Sequence, residues 1–236
     1  MYCKGQIFVF ASYIRKRDHA IAVKKYSLST GRWKNVAYLK NRLDFCVCTF
    51  IDQVYILGGV DVNGAEITGF LNTCTNFHIK DFLYREKQVA SMKQSRSSAA
   101  CTVFKGKIVV TGGYHEEFND LKTVEAYDHL ANEWSVMPNM IKAHSYHDAV
   151  TVKNKMYVVC DENVEIFDGQ KFVSLKRPSD YKYGRGTFST GNKIHVVKFH
   201  KGKMLTYDTV KDKWSEEPIK FAGKKRYECF VKTPKI

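Results

Sequence analysis

The 236-residue sequence lacks a long apolar run and a signal-peptide pattern at its N-terminus. Its cysteines are odd in number and show no paired spacing. They are Cys3, Cys46, Cys48, Cys74, Cys101, Cys160 and Cys229. Neither a disulfide framework nor a zinc site is expected from such spacing, and we interpret Cys46 and Cys48 as buried strand residues. These absences predict a soluble protein in a reducing compartment, the cytoplasm.

Catalytic signatures are also lacking, since there is no nucleophile elbow, no His-Glu-x-x-His and no Walker sequence. His144 and His147 could suggest a metal site, but residues three apart on a strand point to opposite faces. Glu125 and Asp128 are better explained as strand and turn residues than as an acid and base pair. We therefore expect no enzyme activity, no metal and no cofactor.

Acidic residues are scarce, with 24 Asp and Glu against 38 Lys and Arg and a net charge of +14. This excess favours an acidic partner, whether protein, nucleic acid or membrane surface. The basic residues are scattered along the chain, and the densest cluster, residues 15–17, lies in a predicted loop. We expect an acidic protein or peptide partner, and neither nucleic acid nor a membrane.

The sequence does contain repeated strand patterns, best seen in residues 96–134. Alternating apolar residues precede a Lys-Gly-Lys turn, a β-branched run then ends at Gly112 and Gly113, and two more strands follow a polar loop. Paired glycines permit positive φ and close backbone approach. Such a four-stranded sheet is apolar on both faces, so it needs stacked copies to bury them.

Copies of this unit are recognised by pairs of aromatic residues, which we expect to lie side by side on adjacent strands. The pairs are Tyr26/Trp33, Phe77/Tyr84, Tyr127/Trp134, Phe167/Phe172 and Tyr207/Trp214. From the first residue of one pair to the first residue of the next, the spacing is 51, 50, 40 and 40 residues. The shorter spacing within the fourth pair predicts a tight Asp168-Gly169 hairpin.

These features resemble the Kelch repeats of the kelch-like adaptor proteins. The resemblance is carried by YILGG at residues 55–59, TGG at 111–113, VEAYD at 124–128 and NEWSVMP at 132–138. It implies an all-β, Kelch-type β-propeller of four-stranded blades. The structural positions of the repeat are Gly58, Gly59, Gly112, Gly113, Trp33, Tyr84, Trp134, Phe172 and Trp214.

We place one domain over residues 1–236, with about five units at 1–41, 42–95, 96–143, 144–181 and 182–223, and a terminal strand at 224–236. The first unit is expected to lack its first strand. In the second unit, we expect residues 60–72 to form an exposed loop and residues 83–86 the outer strand. Either the terminal strand closes a five-bladed ring, or the chain is a fragment of a six-bladed propeller, which we favour.

One position repeats as a potential cation, twelve residues before the second strand of each unit. Its members are Arg42, Arg96, His144, Lys182 and Lys224. By the resemblance, this position lines the mouth of the central channel, where arginines bind acidic peptide motifs. A ring of such donors would attract carboxylates. The alternative is that the arginines cap turns.

The resemblance further implies substrate recognition for a cullin-based E3 ubiquitin ligase. In that family BTB and BACK domains, which these residues do not encode, engage the cullin. The alternative is an actin-binding or cytoskeletal scaffold without a ligase role.

Overall fold

A computed structural model describes residues 2–3, 6–15, 18–27, 30–40, 42–63, 66–78, 87–115, 117, 119–160, 163–175, 186–198 and 202–218. Within these ranges the protein contains strands and turns and no helix, so no helix there could span a membrane. The strands form five four-stranded antiparallel sheets and one three-stranded sheet. The all-β prediction with four-stranded blades is confirmed.

The strands follow the chain from sheet to sheet. The first sheet contains β1 (Tyr2–Cys3), β2 (Gln6–Arg15), β3 (Asp18–Ser27) and β4 (Arg32–Lys40). The second contains β6 (Cys46–Phe50), β7 (Gln53–Leu57), β10 (Cys74–His78) and β11 (Lys87–Val89). The small sheet contains β5 (Arg42–Leu43), β8 (Val60–Asn63) and β9 (Glu66–Phe70).

The remaining three sheets each take four consecutive strands. The third contains β12 (Ala100–Phe104), β13 (Lys107–Thr111), β14 (Val124–Asp128) and β15 (Glu133–Met137). The fourth contains β16 (Asp148–Val152), β17 (Lys155–Val159), β18 (Val164–Phe167) and β19 (Phe172–Leu175). The fifth contains β20 (Thr187–Thr190), β21 (Lys193–Lys198), β22 (Lys203–Asp208) and β23 (Lys213–Pro218).

Apolar residues on both faces of a sheet are buried by the neighbouring sheets, as the repeat pattern predicts. On β13, Ile108 and Val110 pack with the second sheet, and Val109 between them packs with the fourth. A third cluster joins the fourth sheet to the fifth through residues such as Val159 and Val196. Because side chains alternate across a strand, one central strand supplies two cores. Each sheet therefore depends on its neighbours for burial.

The predicted aromatic pairs lie side by side on adjacent strands. Tyr127 is directly opposite Trp134 with ring centroids 5.2 Å apart. The equivalent separations are 5.0 Å for Tyr26 and Trp33, 4.9 Å for Phe167 and Phe172, and 5.0 Å for Tyr207 and Trp214. Tyr84, the partner predicted for Phe77, is outside the described residues. These cross-strand pairs occupy the same place in four sheets.

The shortened hairpin of the fourth sheet follows the prediction. The Asp168 backbone N–H donates to the Lys171 carbonyl, and Gly169 has a φ of 112°. The Asp168 carboxylate also accepts the backbone N–H groups of Gln170 and Lys171. The Asp-Gly turn therefore accounts for the closer aromatic spacing.

The structure corrects two expectations for the first half of the chain. The first sheet retains a short first strand, in which Tyr2 and Cys3 pair with Ile7 and Gln6. Residues 60–72 are not simply an exposed loop, because β8 and β9 form a hairpin that pairs with β5. Val60 and Val62 are buried within it. The outer strand of the second sheet is β11, while residues 83–86 and 224–236 lie outside the described residues.

The sheets meet along their first strands, since β6 contacts β12, β12 contacts β16 and β16 contacts β20. Each of the second to fifth sheets therefore has its first strand innermost, as in a propeller. We call the end with the short turns after the first and third strands the turn end. The opposite end, with the longer connections, is called the loop end.

Candidate functional site

Arg96, a predicted member of the cation ring, is held inside the third sheet. Its Nη2 lies 2.7 Å from Glu125 Oε1, and the two side chains are 0% and 3% exposed. The guanidinium also donates to the carbonyls of Gly112 and Thr123 and to the Thr123 hydroxyl. Buried charges require this kind of pairing and hydrogen bonding. Arg96 therefore joins the start of β12 to the loop-end residues of β13 and β14.

His144 occupies the same position in the fourth sheet. Its Nε2 lies 3.3 Å from Glu165 Oε1 and 3.4 Å from Cys160 Sγ. Burial lowers the pKa of His144, but hydrogen bonds with Cys160 and Glu165 outweigh burial and raise the pKa to about 9. The pKa of Glu165 is lowered, since burial is outweighed by hydrogen bonds from His144 and from backbone N–H groups. His144 and Glu165 therefore form a buried ion pair near neutral pH.

Both glutamates also hold the segment that enters their sheet. Glu125 accepts the backbone N–H groups of Lys93 and Gln94 at 2.7 and 3.2 Å. Glu165 accepts those of Ile141 and Lys142 at 2.8 and 3.0 Å. We call each arrangement of one glutamate, one cation and two backbone N–H groups a glutamate clasp. The clasp anchors the connection between consecutive sheets at the loop end.

The glycine doublets lie against the next sheet's cation residue. The Gly59 N–H donates to the Arg96 carbonyl at 2.8 Å, and the Gly113 N–H donates to the His144 carbonyl at 2.8 Å. Gly58 and Gly112 have positive φ, and a Cβ on either would overlap that same carbonyl oxygen. The predicted close approach is confirmed, and these doublets join adjacent sheets.

The members of the predicted cation ring lie in different surroundings. Arg96 and His144 each pair with a buried carboxylate of their own blade. Arg42 is partly buried, and its guanidinium donates to the Thr73 hydroxyl. Lys182 and Lys224 lie outside the described residues. A part in partner binding stays a prediction for the five cations.

A different set of loop-end residues was missed by the sequence reasoning. Asp44, Ser98 and Tyr146 have φ of 51°, 48° and 52°. Their backbones form a chain across the sheets, in which the Tyr146 N–H donates to the Ser98 carbonyl and the Ser98 N–H donates to the Asp44 carbonyl. Non-glycine residues rarely adopt this conformation. The signal was available, because each lies two residues after a predicted cation and Gly184 occupies that place in the fifth unit.

The His144 cluster is not arranged as a nucleophile and base. In a catalytic triad the nucleophile and the carboxylate bind opposite nitrogens of the histidine ring. Here Cys160 and Glu165 both face Nε2, and Cys160 is buried. His147 Nε2 bonds the Thr111 hydroxyl, and burial lowers its pKa to about 3. Within the described part of the chain, no group of three or more His, Cys, Asp or Glu side chains is placed to hold a metal ion.

The Kelch motif matches residues 95–141, which include Arg96, Glu125 and all four strands of the third sheet. The chain contains a Kelch-repeat domain. Its four-stranded sheets are blades of a Kelch-type β-propeller. The glycine doublets and aromatic pairs are the features of the Kelch repeat that join and fill these blades.

Similar curated proteins support the Kelch domain over most of the chain. The chain is 25% identical to Kelch-like protein 35 of Mus musculus, over 81% of the chain and 33% of that protein. It is 40% identical to Kelch-like protein 41a of Danio rerio, over 41% of the chain and 16% of that protein. It is 25% identical to the F-box/kelch-repeat protein SKIP30 of Arabidopsis thaliana, over 65% of the chain and 49% of that protein. The chain thus spans half or less of each of these proteins.

Proposed function

We propose that this Kelch domain is a protein-interaction module that binds an acidic protein or peptide. The observation that supports this most is the joining of the third and fourth blades to the blades before them by buried clasps, which leaves the turns and loops at both ends to present side chains. The net charge of +14 favours an acidic partner. The test is binding of a labelled glutamate-rich peptide to the full chain, measured by fluorescence anisotropy. No saturable binding at low salt would contradict the proposal.

We also propose that the bound protein is presented to a cullin-based E3 ubiquitin ligase. Support comes from relatives named as Kelch-like and F-box/kelch-repeat proteins. The experiment compares the product of the complete reading frame with residues 1–236 alone in co-purification with endogenous cullins. We expect the complete product to retain a cullin and residues 1–236 alone not to do so. A complete product that carries neither a BTB nor an F-box domain and retains no cullin would end this proposal.

Actin filaments are a second candidate partner, favoured by the same positive charge. If the domain is a cytoskeletal scaffold, it should co-sediment with filaments and saturate at a defined ratio to actin. Nonspecific charge attraction would instead disappear at physiological salt. A cytoplasmic location is part of either proposal, and the free, mostly buried cysteines of the described chain support it.

A further inference from the structure

We propose that the acidic partner docks on the turn end of the third, fourth and fifth blades rather than at the channel mouth. The partner is an acidic protein segment that also carries aliphatic side chains. This inference rests on the proposed binding of an acidic protein and adds where that protein binds. The surface, called the lysine rim, is the set of short turns that follow the first and third strands of these blades.

The turns of adjacent blades lie together and form one surface. The ring of Phe50, at the turn end of the second blade, packs edge-on against His129 in a turn of the third, with centroids 5.0 Å apart. Lys105 Nζ, in a turn of the third blade, lies 3.0 Å from the position of a Cβ on Gly169 in the fourth. The turns are therefore close enough for one partner to contact several blades.

Lysines dominate the lysine rim. They are Lys105, Lys107, Lys153, Lys155, Lys171, Lys193, Lys211 and Lys213. The acidic residues of the same turns are Asp128, Glu133, Asp168, Asp208 and Asp212. Eight lysines and five acidic residues leave a formal charge of +3. All the lysines except Lys107 are exposed.

Three of the rim's carboxylates are directed at their own turns. Asp128 accepts the backbone N–H groups of Leu130 and Ala131, and also pairs with Lys107. Asp208 likewise accepts those of Val210 and Lys211. Asp168 makes the equivalent bonds in the fourth blade. These bonds fix the turns and orient the carboxylates toward the backbone, while the lysines other than Lys107 are exposed to solvent.

Aliphatic residues project from two of these turns. Leu130 is 86% exposed and Val210 is 64% exposed, and each is two residues after the aspartate that caps its turn. An interface typically combines apolar side chains that become buried with a polar rim that excludes water. Lysines around two projecting aliphatic side chains therefore fit an acidic segment with apolar residues better than an entirely polar chain.

Among the residues that the structure describes, the loop end of the same three blades has no comparable charge. Its described lysines are Lys93, Lys122, Lys142, Lys198 and Lys203, and its described acidic residues are Glu117, Asp120, Asp148, Glu216 and Glu217. Five of each sign give a formal charge of zero. Arg96 and His144 do not change this sum, because each is paired with a buried glutamate of its own blade. The charge of the described residues thus favours the turn end for an acidic partner.

The first experiment reverses two exposed lysines at each end of the full chain. K155E/K171E changes the lysine rim, and K93E/K122E makes the same change in net charge at the loop end. The probe is a fluorescein-labelled peptide of alternating glutamate and leucine, measured by anisotropy. We expect the rim variant to weaken binding about tenfold and the loop-end variant less than about twofold. Equal losses would mean that only net charge matters and would overturn the proposal.

A second pair of variants tests the aliphatic contribution. Leu130→Asp should weaken binding of the glutamate and leucine peptide more than binding of a polyglutamate peptide. Ile67→Asp is the control, because Ile67 is 60% exposed on β9 at the loop end. An equal effect of the two substitutions would contradict docking around Leu130.

Two further comparisons separate this inference from its rivals. If R42E/K182E weakens peptide binding more than K155E/K171E does, the binding site lies at the channel mouth. This result would overturn the inference but not the proposed function. Wild-type chain that binds vesicles of phosphatidylserine and phosphatidylcholine, but neither peptide, would overturn both the rim as a protein site and the acidic-protein function. The inference is supported if only the rim variants lose peptide binding and the wild-type chain does not bind the vesicles.

Discussion

The third and fourth blades build the same glutamate clasp with different cations. Glu125 and Glu165 each lie two residues before the first aromatic of the pair, and each holds two backbone N–H groups of the entering segment. In the third blade the cation is a guanidinium with four hydrogen bonds. In the fourth it is an imidazole whose Nε2 faces both Glu165 and Cys160. Both glutamates hold two backbone N–H groups, whereas the charge of the cation depends on pH only in the fourth blade.

The third and fourth blades also differ at the position of the glycine doublet. In the third blade Arg96 bonds the Gly112 carbonyl, and Gly112 itself has a positive φ. Cys160 occupies the corresponding place in the fourth blade, and its thiol bonds Asn163 and His144. The smaller histidine leaves room for the thiol, whereas the guanidinium spans the same region alone. The comparison shows that the clasp depends on the glutamate more than on the cation's identity.

The largest effect is expected from removing the carboxylate of the third blade. Glu125→Gln leaves Arg96 as a buried charge without a counterion, and weakens the bonds to Lys93 and Gln94. The expected loss in the free energy of unfolding is about 3–5 kcal/mol. Urea denaturation followed by tryptophan fluorescence measures it. Glu133→Gln, on the exposed outer strand of the same blade, is the control and should change stability by less than about 0.5 kcal/mol.

The equivalent substitution in the fourth blade sharpens the comparison. Glu165→Gln at a pH above the pKa of His144 should cost less than at neutral pH, because a neutral imidazole needs no counterion. Glu125→Gln should show no such dependence, since a guanidinium stays charged. Equal pH dependence in the two variants would show that the two clasps do not differ as the structure indicates.

An intermediate effect is expected where the blades approach each other most closely. Gly112→Ala places a Cβ against the His144 carbonyl oxygen and also forces alanine into a positive φ. The loss should be about 2–4 kcal/mol. Gly106→Ala is a matched control, because Gly106 has a φ of 74° but open space around it. It should cost only about 1 kcal/mol, and equal losses would show that backbone strain rather than the contact between blades dominates.

The strands of these blades were predictable because their signals are local. Alternating apolar residues, the glycine doublets and the aromatic pairs all lie within one unit of the sequence. The hairpin of β8 and β9 was missed, although Val60 and Val62 alternate with Asp61 and Asn63 as a half-buried strand does. The polar composition of the segment hid this alternation.

The roles of the repeated cations were less predictable for a physical reason. Arg96 meets Glu125 only after the third strand has paired with the second, 29 residues later in the chain. Spacing along the sequence shows that a cation recurs, but not whether it points into the blade or into solvent. The positive φ two residues after each cation could have been predicted. The fifth unit has a glycine at that position, which suggests a left-handed backbone.

The smallest predicted effect is the pH dependence of the fourth blade's clasp. The pKa of His144 is raised to about 9 in the folded state from an ordinary value near 6.5. A group with a raised folded pKa contributes stability that is fully present below its unfolded pKa and is lost as pH rises through the folded value. Stability should therefore fall between about pH 6.5 and 9, by on the order of 1–2 kcal/mol.

The variant that isolates this effect is His144→Gln, which keeps a hydrogen-bonding side chain without a titratable charge. Urea unfolding of wild type and variant across this pH range should show the slope attributed to His144 in wild type only. His147 does not compete for the assignment, because burial lowers its pKa to about 3 and it stays neutral throughout the range. If His144→Gln and wild type lose stability in parallel, the ion pair with Glu165 does not contribute, and the clasp of the fourth blade depends on the backbone bonds to Glu165.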